Sequence, residues 1–227
     1  MKNFAFIFAR GGSKGLPGKN IKLLAGKPLL QYSIETAKAS SAIDNVFVST
    51  DDKDIAKVAL KNNAILIERP QELASDTSPE WLSWRHAIEW TKQHYGEFDN
   101  FVSLPATSPL RSVEDVNAAI DKRVASDTDV CISVTPASRS PYFNMVKLSN
   151  NDLVELVNQP NGEVSRRQDA PKVFDITTVV YAADPKFILE SYGIFSGRVS
   201  AIEVPKERAV DIDDIYDFKL AEAIVER

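Results

Sequence analysis

The sequence predicts an α/β fold in which a mainly parallel sheet lies between two layers of helices. Three observations predict it. Short apolar runs alternate with segments of helical periodicity, the first run is apolar without interruption, and Gly, Pro, Asp or Asn punctuate the places where one kind of segment gives way to the other.

Phe4 to Ala9 is that first run, and an unbroken apolar stretch fits a strand buried on both faces. Pro28 opens a helix in which Leu29, Leu30, Ile34 and Ala37 recur on one side. Asn45 to Ser49 reads as a strand, Asp52 to Leu60 as a helix and Ala64 to Ile67 as the next strand. A helix follows from about Glu80 to Gln93, where Trp81, Trp84 and Ile88 form a core stripe rather than a ligand box. Phe101 to Leu104 is a strand, and Ser112 with Asp115 gives a capping-box signal for the helix after it. Val130 to Val134 is a further strand, in which Cys131 is an inert apolar residue.

Between Pro136 and Lys172 the alternation breaks. This polar stretch holds Pro141, Pro160, Gly162 and Pro171, with β-like pieces at Met145 to Leu148 and Leu153 to Val157. It reads as an arm, residues 136–172, inserted in a single domain of residues 1–227. The alternation resumes with a strand at Val173 to Ala182, a helix near Pro185 to Ser191, a strand near Val199 to Val204 and a last helix from Ile215.

Composition narrows the function. The chain of 227 residues carries 27 Lys plus Arg against 32 Asp plus Glu, a net charge of −5 that argues against a nucleic-acid partner. The charge is uneven: Lys2, Arg10, Lys14, Lys19, Lys22 and Lys27 all precede the first acidic residue, Glu35. That asymmetry points to a local anion site. One cysteine and two histidines exclude an internal disulfide and a thiolate or imidazole zinc cluster, so any metal is expected to be hard and oxygen-bound. The apolar run Phe4 to Ala9 is too short for a signal-peptide core or a membrane span, which makes a cytoplasmic enzyme without membrane contact the expectation.

In parallel sheets, ligands sit at the carboxyl ends of the strands. The first such loop, Ala9-Arg10-Gly11-Gly12-Ser13-Lys14-Gly15-Leu16-Pro17-Gly18-Lys19-Asn20, combines four glycines with three cations, which suits a polyphosphate. It is not a Walker A loop, because Ser13 stands where the first Gly is needed and Asn20 replaces the Ser or Thr. Ser13 also breaks the dinucleotide fingerprint. Near the other terminus, Asp211 and Asp213 alternate with Val210 and Ile212, which in an extended segment puts both carboxylates on one face. Such a pair is a platform for Mg²⁺. Capping of the helix at Ile215 is the competing reading, with Asp213 or Asp214 as the cap.

The twelve-residue loop resembles the N-terminal signature of the acylneuraminate (CMP-sialic acid) cytidylyltransferases, and three more segments extend the likeness in family order. They are Arg69-Pro70-Gln71-Glu72-Leu73-Ala74-Ser75-Asp76-Thr77, Thr107-Ser108-Pro109-Leu110-Arg111 and Asp211-Ile212-Asp213. The resemblance implies a three-layer Rossmann-like nucleotide-diphospho-sugar transferase fold and the transfer of CMP from CTP to a 2-keto-3-deoxy sugar acid for glycan or lipopolysaccharide assembly. It implies that Arg10, Lys14 and Lys19 hold the triphosphate, that Asn20 and Arg69 contact the nucleotide, and that Ala9 and Ser78 lie near the cytosine and ribose. Arg10, Lys19 and Asp211 would be catalytic, and Asp211 and Asp213 would hold Mg²⁺. Thr107, Ser108, Arg111, Thr177 and Tyr181 would face the sugar. Arg167 and Gln168 match positions near the sugar carboxylate, reached from a neighbouring subunit, and residues 136–172 would be the arm of a homodimer.

Two departures fall at the sugar side. Leu104-Pro105-Ala106-Thr107 lacks the Gln of the family pattern L-Q-P-T, and Phe174-Asp175-Ile176-Thr177-Thr178 replaces F-R-P-N-G, putting Asp175 where an Arg is usual. The expectation is an altered acceptor, such as legionaminic or pseudaminic acid, with Asp175 reading an amine or a hydroxyl. Octulosonate (Kdo or 8-amino-Kdo) is the alternative acceptor, and a nucleotide-sugar glycosyltransferase the alternative class.

Overall fold

Alternation within the first strand divides the core in two. In the computed structural model, which describes residues 1–148, 152–159 and 166–226, β1 (Asn3–Phe8) sends Ala5 and Ile7, with Ala9 beyond it, to one face of the sheet and Phe4, Phe6 and Phe8 to the other. The first face meets α1 (Leu29–Ala39), α2 (Lys53–Lys61) and α4 (Val113–Ala125) through Leu30, Ile34, Ile55, Val116 and Ile120. The second meets α3 (Glu80–Tyr95) and α5 (Pro185–Glu190) through Trp84, Ile88 and Ile188. Phe6 stacks on Phe47 at 5.1 Å and on Phe101 at 4.7 Å, and all three are fully buried. Each such ring contributes roughly 1.5–3 kcal/mol by its burial.

The remaining elements are a small hairpin of β2 (Leu23–Leu24) and β3 (Lys27–Pro28), then β4 (Asn45–Thr50), β5 (Ile65–Glu68), β6 (Asn100–Ser103), β7 (Val130–Pro136), β8 (Val146–Leu148), β9 (Val154–Leu156), β10 (Phe174–Ala183), β11 (Val199–Glu203) and α6 (Ile215–Val225). The main sheet has seven strands in the order β11-β7-β10-β6-β1-β4-β5. All are parallel except β10, which runs antiparallel to β6 and β7. The chain leaves β1 in one direction, to β4 and β5, and returns on the other side at β6, so a switch point opens between β1 and β6. The loops after those two strands flank it.

The caps follow the sequence signals. Ser112 and Asp115 form the expected capping box, Asp52 caps α2 with bonds to the Asp54 and Ile55 amides, and Asp214 rather than Asp213 caps α6. Asp213 is thereby left for other work. A third apolar cluster joins Leu16 of the first loop, Leu24 of the small hairpin, and Val210, Ile212 and Phe218 near the C-terminus. It ties the two ends of the sequence together.

Between β7 and β10 the chain leaves the sheet. β8 and β9 pair antiparallel as a short hairpin whose Val146, Leu148 and Val154 are exposed. Pro160 and Gly162, which mark the break in the sequence, lie outside the described residues. No helix among the described residues is long and apolar enough to cross a membrane.

Candidate active site

A cleft of about 460 Å³ opens at the switch point, and Arg10, Lys14, Lys19, Asn20, Arg69, Ser78 and Thr107 line it together. The loop after β1 supplies the first four. Gly18 takes a left-handed turn at φ 67°, which starts a single 3₁₀ turn and sends Lys19 back toward the cleft. Asn20 is buried and its amide donates to the Arg10 carbonyl at 3.1 Å, so it props the loop from below. Gly11 donates its N–H to Asp51 Oδ1 at 3.2 Å and leaves no room for a Cβ against Asp52.

Arg69 is the best-fixed cation. It is buried, donates to the Ser49 hydroxyl at 3.2 Å and the Ser49 carbonyl at 2.8 Å, and lies over the Phe8 ring at 5.6 Å. Burial lowers its pKa from the ordinary arginine value, and nearby Asp51 works against that shift. Ser78 presents a buried hydroxyl with no partner in the protein, which in a ligand cleft marks a group waiting for one. Ala9 is beneath the cleft: it is buried, and its N–H is used by the Ser49 carbonyl at 3.0 Å.

The acidic pair reaches the same place from the other end of the chain. The Ile212 N–H donates to the Thr107 carbonyl at 2.8 Å, fixing the segment against the loop after β6. Val210 and Ile212 turn into the third cluster, while Asp211 and Asp213 take the other side, as the alternation predicts. Asp213 lines the cationic cleft and accepts from Lys19 Nζ at 3.1 Å. Asp211 lines a neighbouring cavity of about 590 Å³ with Asp175, Thr177, Lys206 and Glu207. Burial raises its carboxyl above the ordinary range, the nearby Thr107 hydroxyl opposes this, and Asp213 adds to it. Its Oδ1 is buried without a partner.

This donor set suits one kind of metal. Among the described residues no group of three or more His, Cys, Asp or Glu is arranged to hold an ion. Two carboxylates, one with an unpartnered oxygen, fit a hard cation that completes its shell with water and phosphate oxygens.

Several residues placed at the sugar have other surroundings here. Arg111 is buried and its guanidinium is taken up by the protein: Nε donates to the Val179 carbonyl at 2.6 Å, Nη1 to the Ser33 hydroxyl at 2.5 Å, and Nη2 to the Pro105 carbonyl. It lines neither of these two cavities and holds the loop after β6 onto β10. Ser108 is likewise buried, bonded to the Thr178 hydroxyl at 2.6 Å. Tyr181 packs on Trp84 at 5.7 Å within the aromatic cluster, where burial pushes its phenol up to about 12. Arg167 and Gln168 lie apart from both cavities, at a third one of about 420 Å³ at the base of the hairpin, and Arg167 donates to the Ala137 carbonyl at 2.9 Å. Within one chain they do not join the site.

The sequence reading missed what lies behind these groups. β10 carries a bulge opposite β7, between Thr177 and Tyr181, stitched by the Ser133 hydroxyl, which receives the Thr177 hydroxyl at 2.8 Å and the Val180 N–H at 3.0 Å. The bulge brings Thr178 beside Ser108 and close enough to Asp211 to draw its carboxyl pKa down. Nothing local in Thr177-Thr178 signals it. Asp76 and Glu80 also line the cationic cleft. Asp76 sits in a segment already singled out by its pattern, and its charge among cations was the available signal.

Comparison with known proteins identifies relatives along nearly the whole chain. The chain is 34% identical over 221 residues to the CMP-N,N'-diacetyllegionaminic acid synthase of Campylobacter jejuni, covering 96% of this chain and 93% of that one. It is 33% identical over 229 residues to the pseudaminic acid cytidylyltransferase of the same organism, covering 99% and 96%. The solved structure of CMP:2-keto-3-deoxy-manno-octonic acid synthetase complexed with CTP shares the fold with a TM-score of 0.75 at 17% identity, over 100% of this chain and 99% of that chain. The family described as cytidylyltransferase matches residues 4–225, and the chain belongs to it.

Proposed function

We propose that this cytidylyltransferase joins CTP to a nonulosonic acid, a sialic-acid-like 2-keto-3-deoxy sugar acid, giving the CMP-sugar and pyrophosphate. The observation that carries the reading is the position of the acidic pair, with Asp213 on the cationic cleft and Asp211 on the cavity beside it. A nucleotide in the first and an acceptor in the second would meet at these carboxylates. The family membership removes the glycosyltransferase reading, because a cytidylyltransferase transfers the nucleotide and not the sugar.

Arg10, Lys14, Lys19 and Arg69 neutralise the triphosphate and fix it against the loop amides. The acceptor's anomeric hydroxyl attacks the α-phosphorus, the bond to the β-phosphate oxygen breaks, and pyrophosphate leaves toward Arg10 and Lys19. Asp211 and Asp213 would hold Mg²⁺, which when bound supplies charge neutralisation at the phosphates. A carboxylate has two oxygens, so Asp211 can serve the cation with one and take the hydroxyl proton with the other.

The acceptor cavity favours a nonulosonic acid over octulosonate. Lys206 lines it beside the carboxylates Asp175, Glu207, Asp211 and Asp217, and Ile176, Val210 and Leu220 give it an apolar wall. Such a wall suits N-acyl or deoxy positions, and curated relatives across nearly the whole chain act on legionaminic and pseudaminic acids. The exposed Val146, Leu148, Val154, Phe174 and Ile176 support a homodimer, in which Arg167 and Gln168 of one subunit would approach the acceptor cavity of the other.

Pyrophosphate release from CTP and Mg²⁺, measured across a panel of neuraminic, legionaminic, pseudaminic and octulosonic acids, tests the proposal. Release is expected with a nonulosonic acid, and Lys19→Ala is expected to lower kcat/KM about 10²- to 10³-fold. Octulosonate as the best acceptor would move the reading to the second substrate, and no release with any acid would end it.

The glycine at position 15 offers a test of the loop geometry. A Cβ there would lie 2.4 Å from the Asp213 carbonyl oxygen. Gly15→Ala should therefore push the acidic segment off the loop and slow turnover about 10²-fold, with a cooperative melt retained. Wild-type turnover would show that the close approach does not matter.

A further inference from the structure

Two of the cations assigned to the triphosphate already have an anion between them. Asp76 Oδ1 accepts from Arg10 Nη1 at 2.6 Å, and Asp76 Oδ2 lies 2.6 Å from Lys14 Nζ. The Ala74 carbonyl adds a longer bond to Arg10 Nη1 at 3.5 Å. Asp76 follows the 3₁₀ turn Gln71–Leu73 and precedes α3, on a short polar segment whose Ser75 and Ser78 line the same cleft. One carboxylate that spans two cations with its two oxygens repeats the charge pattern of a phosphate edge.

We propose that Asp76 is a resident counter-anion of the phosphate loop, displaced when the nucleotide binds and returning to Arg10 and Lys14 as pyrophosphate leaves. The inference rests on the reading that these cations hold the triphosphate. Its strength is set by exposure. The side chains of Asp76 and Lys14 are 40% and 77% exposed, so each ion pair is weak and screened by solvent. A triphosphate carries more charge than one carboxylate and displaces it. Left without a ligand, Arg10 and Lys14 would repel each other across the loop, and Asp76 removes that cost. The hydrogen bonds from Lys14 and then Arg10 hold the Asp76 carboxyl below its ordinary range, so it is ionised at neutral pH. The segment then acts as a latch whose opening is linked to phosphate binding, and whose closing opposes product retention.

Isothermal titration of the full chain and its Asp76→Asn and Asp76→Glu variants with CTP, inorganic tripolyphosphate, pyrophosphate and cytidine tests this. Asp76→Asn keeps the shape and removes the charge. It is expected to bind the three phosphate ligands about five- to tenfold more tightly, to bind cytidine as the wild type does, and to be inhibited by pyrophosphate at correspondingly lower concentrations during turnover. Asp76→Glu should stay close to wild type. Unchanged or weaker phosphate binding by Asp76→Asn would overturn the latch, and tighter cytidine binding would assign the effect to loop shape instead. If wild type and variant both fail to bind tripolyphosphate, the loop is no phosphate site and the functional reading falls too. If both bind it equally, only the latch falls.

Discussion

Asp211→Asn is expected to lower kcat/KM about 10³-fold while making the metal-free protein more stable at neutral pH. The two effects share one cause. Asp211 is half-buried, its Oδ1 has no partner, and Asp213 adds a like charge nearby. Burial raises its folded-state pKa above the unfolded value, so between those two pKa values the folded chain binds more protons than the unfolded one. Stability therefore falls as pH rises through that window, and above it the ionised carboxylate is a standing cost. A neutral amide of the same shape removes the cost and also removes the ligand for a cation and the acceptor for a proton. Thermal melts in EDTA at pH 4 and pH 8, paired with pyrophosphate-release rates, check the prediction. The variant's advantage should be present at pH 8 and shrink at pH 4. A variant less stable than wild type at pH 8, or one that retains turnover, would show that Asp211 is a structural carboxylate.

The same residue marks the boundary of what the sequence discloses. The alternation of Val210, Asp211, Ile212 and Asp213 predicts which side chains share a face, because period two is a property of extended backbone and needs no partner. The glycines and cations of Arg10 to Asn20 are legible for a similar reason: a loop with the proposed role of approaching phosphate closely has few residue types to choose from. Every strand of the main sheet is foreshadowed by an apolar run. The antiparallel sense of β10 is not, since a buried run reads alike in either direction. The sugar side is the least legible part of the sequence. Ser108 and Arg111 lie in a motif of the family, but a motif does not say whether a polar side chain points into a cavity or back into the protein. Burial of the guanidinium follows from the bulge in β10, which is a matter of long-range packing. Arg167 and Gln168 are a different case: within one chain they line a separate cavity, and the role assigned to them rests on the proposed homodimer.

Arg111→Ala is expected to destabilise the protein by about 3 kcal/mol or more, and to do so without a selective rise in KM for the sugar acid. The guanidinium connects α1 through Ser33, the loop after β6 through Pro105, and the bulge of β10 through Val179 and, at 3.4 Å, the Thr178 carbonyl. Burial lowers its pKa to about 9, so it remains charged at neutral pH, and Asp115, ahead of Asp211, compensates most. Deleting the side chain leaves buried carbonyls without donors, each a cost of about 1–3 kcal/mol, partly relieved if water enters. For a chain of this size that loss lowers Tm by roughly 10 °C. Arg111→Lys keeps the charge but not the planar fork, and should recover only part of the difference. Thr107 and Thr178 both depend on this anchor and both lie beside Asp211, so turnover by whatever fraction folds is expected to fall mainly through kcat. The sugar-binding assignment makes the opposite forecast: a near-native Tm with a large increase in acceptor KM. Melting curves and acceptor titrations on the two variants separate these outcomes, and a native-like melt with weakened acceptor binding would return Arg111 to the substrate.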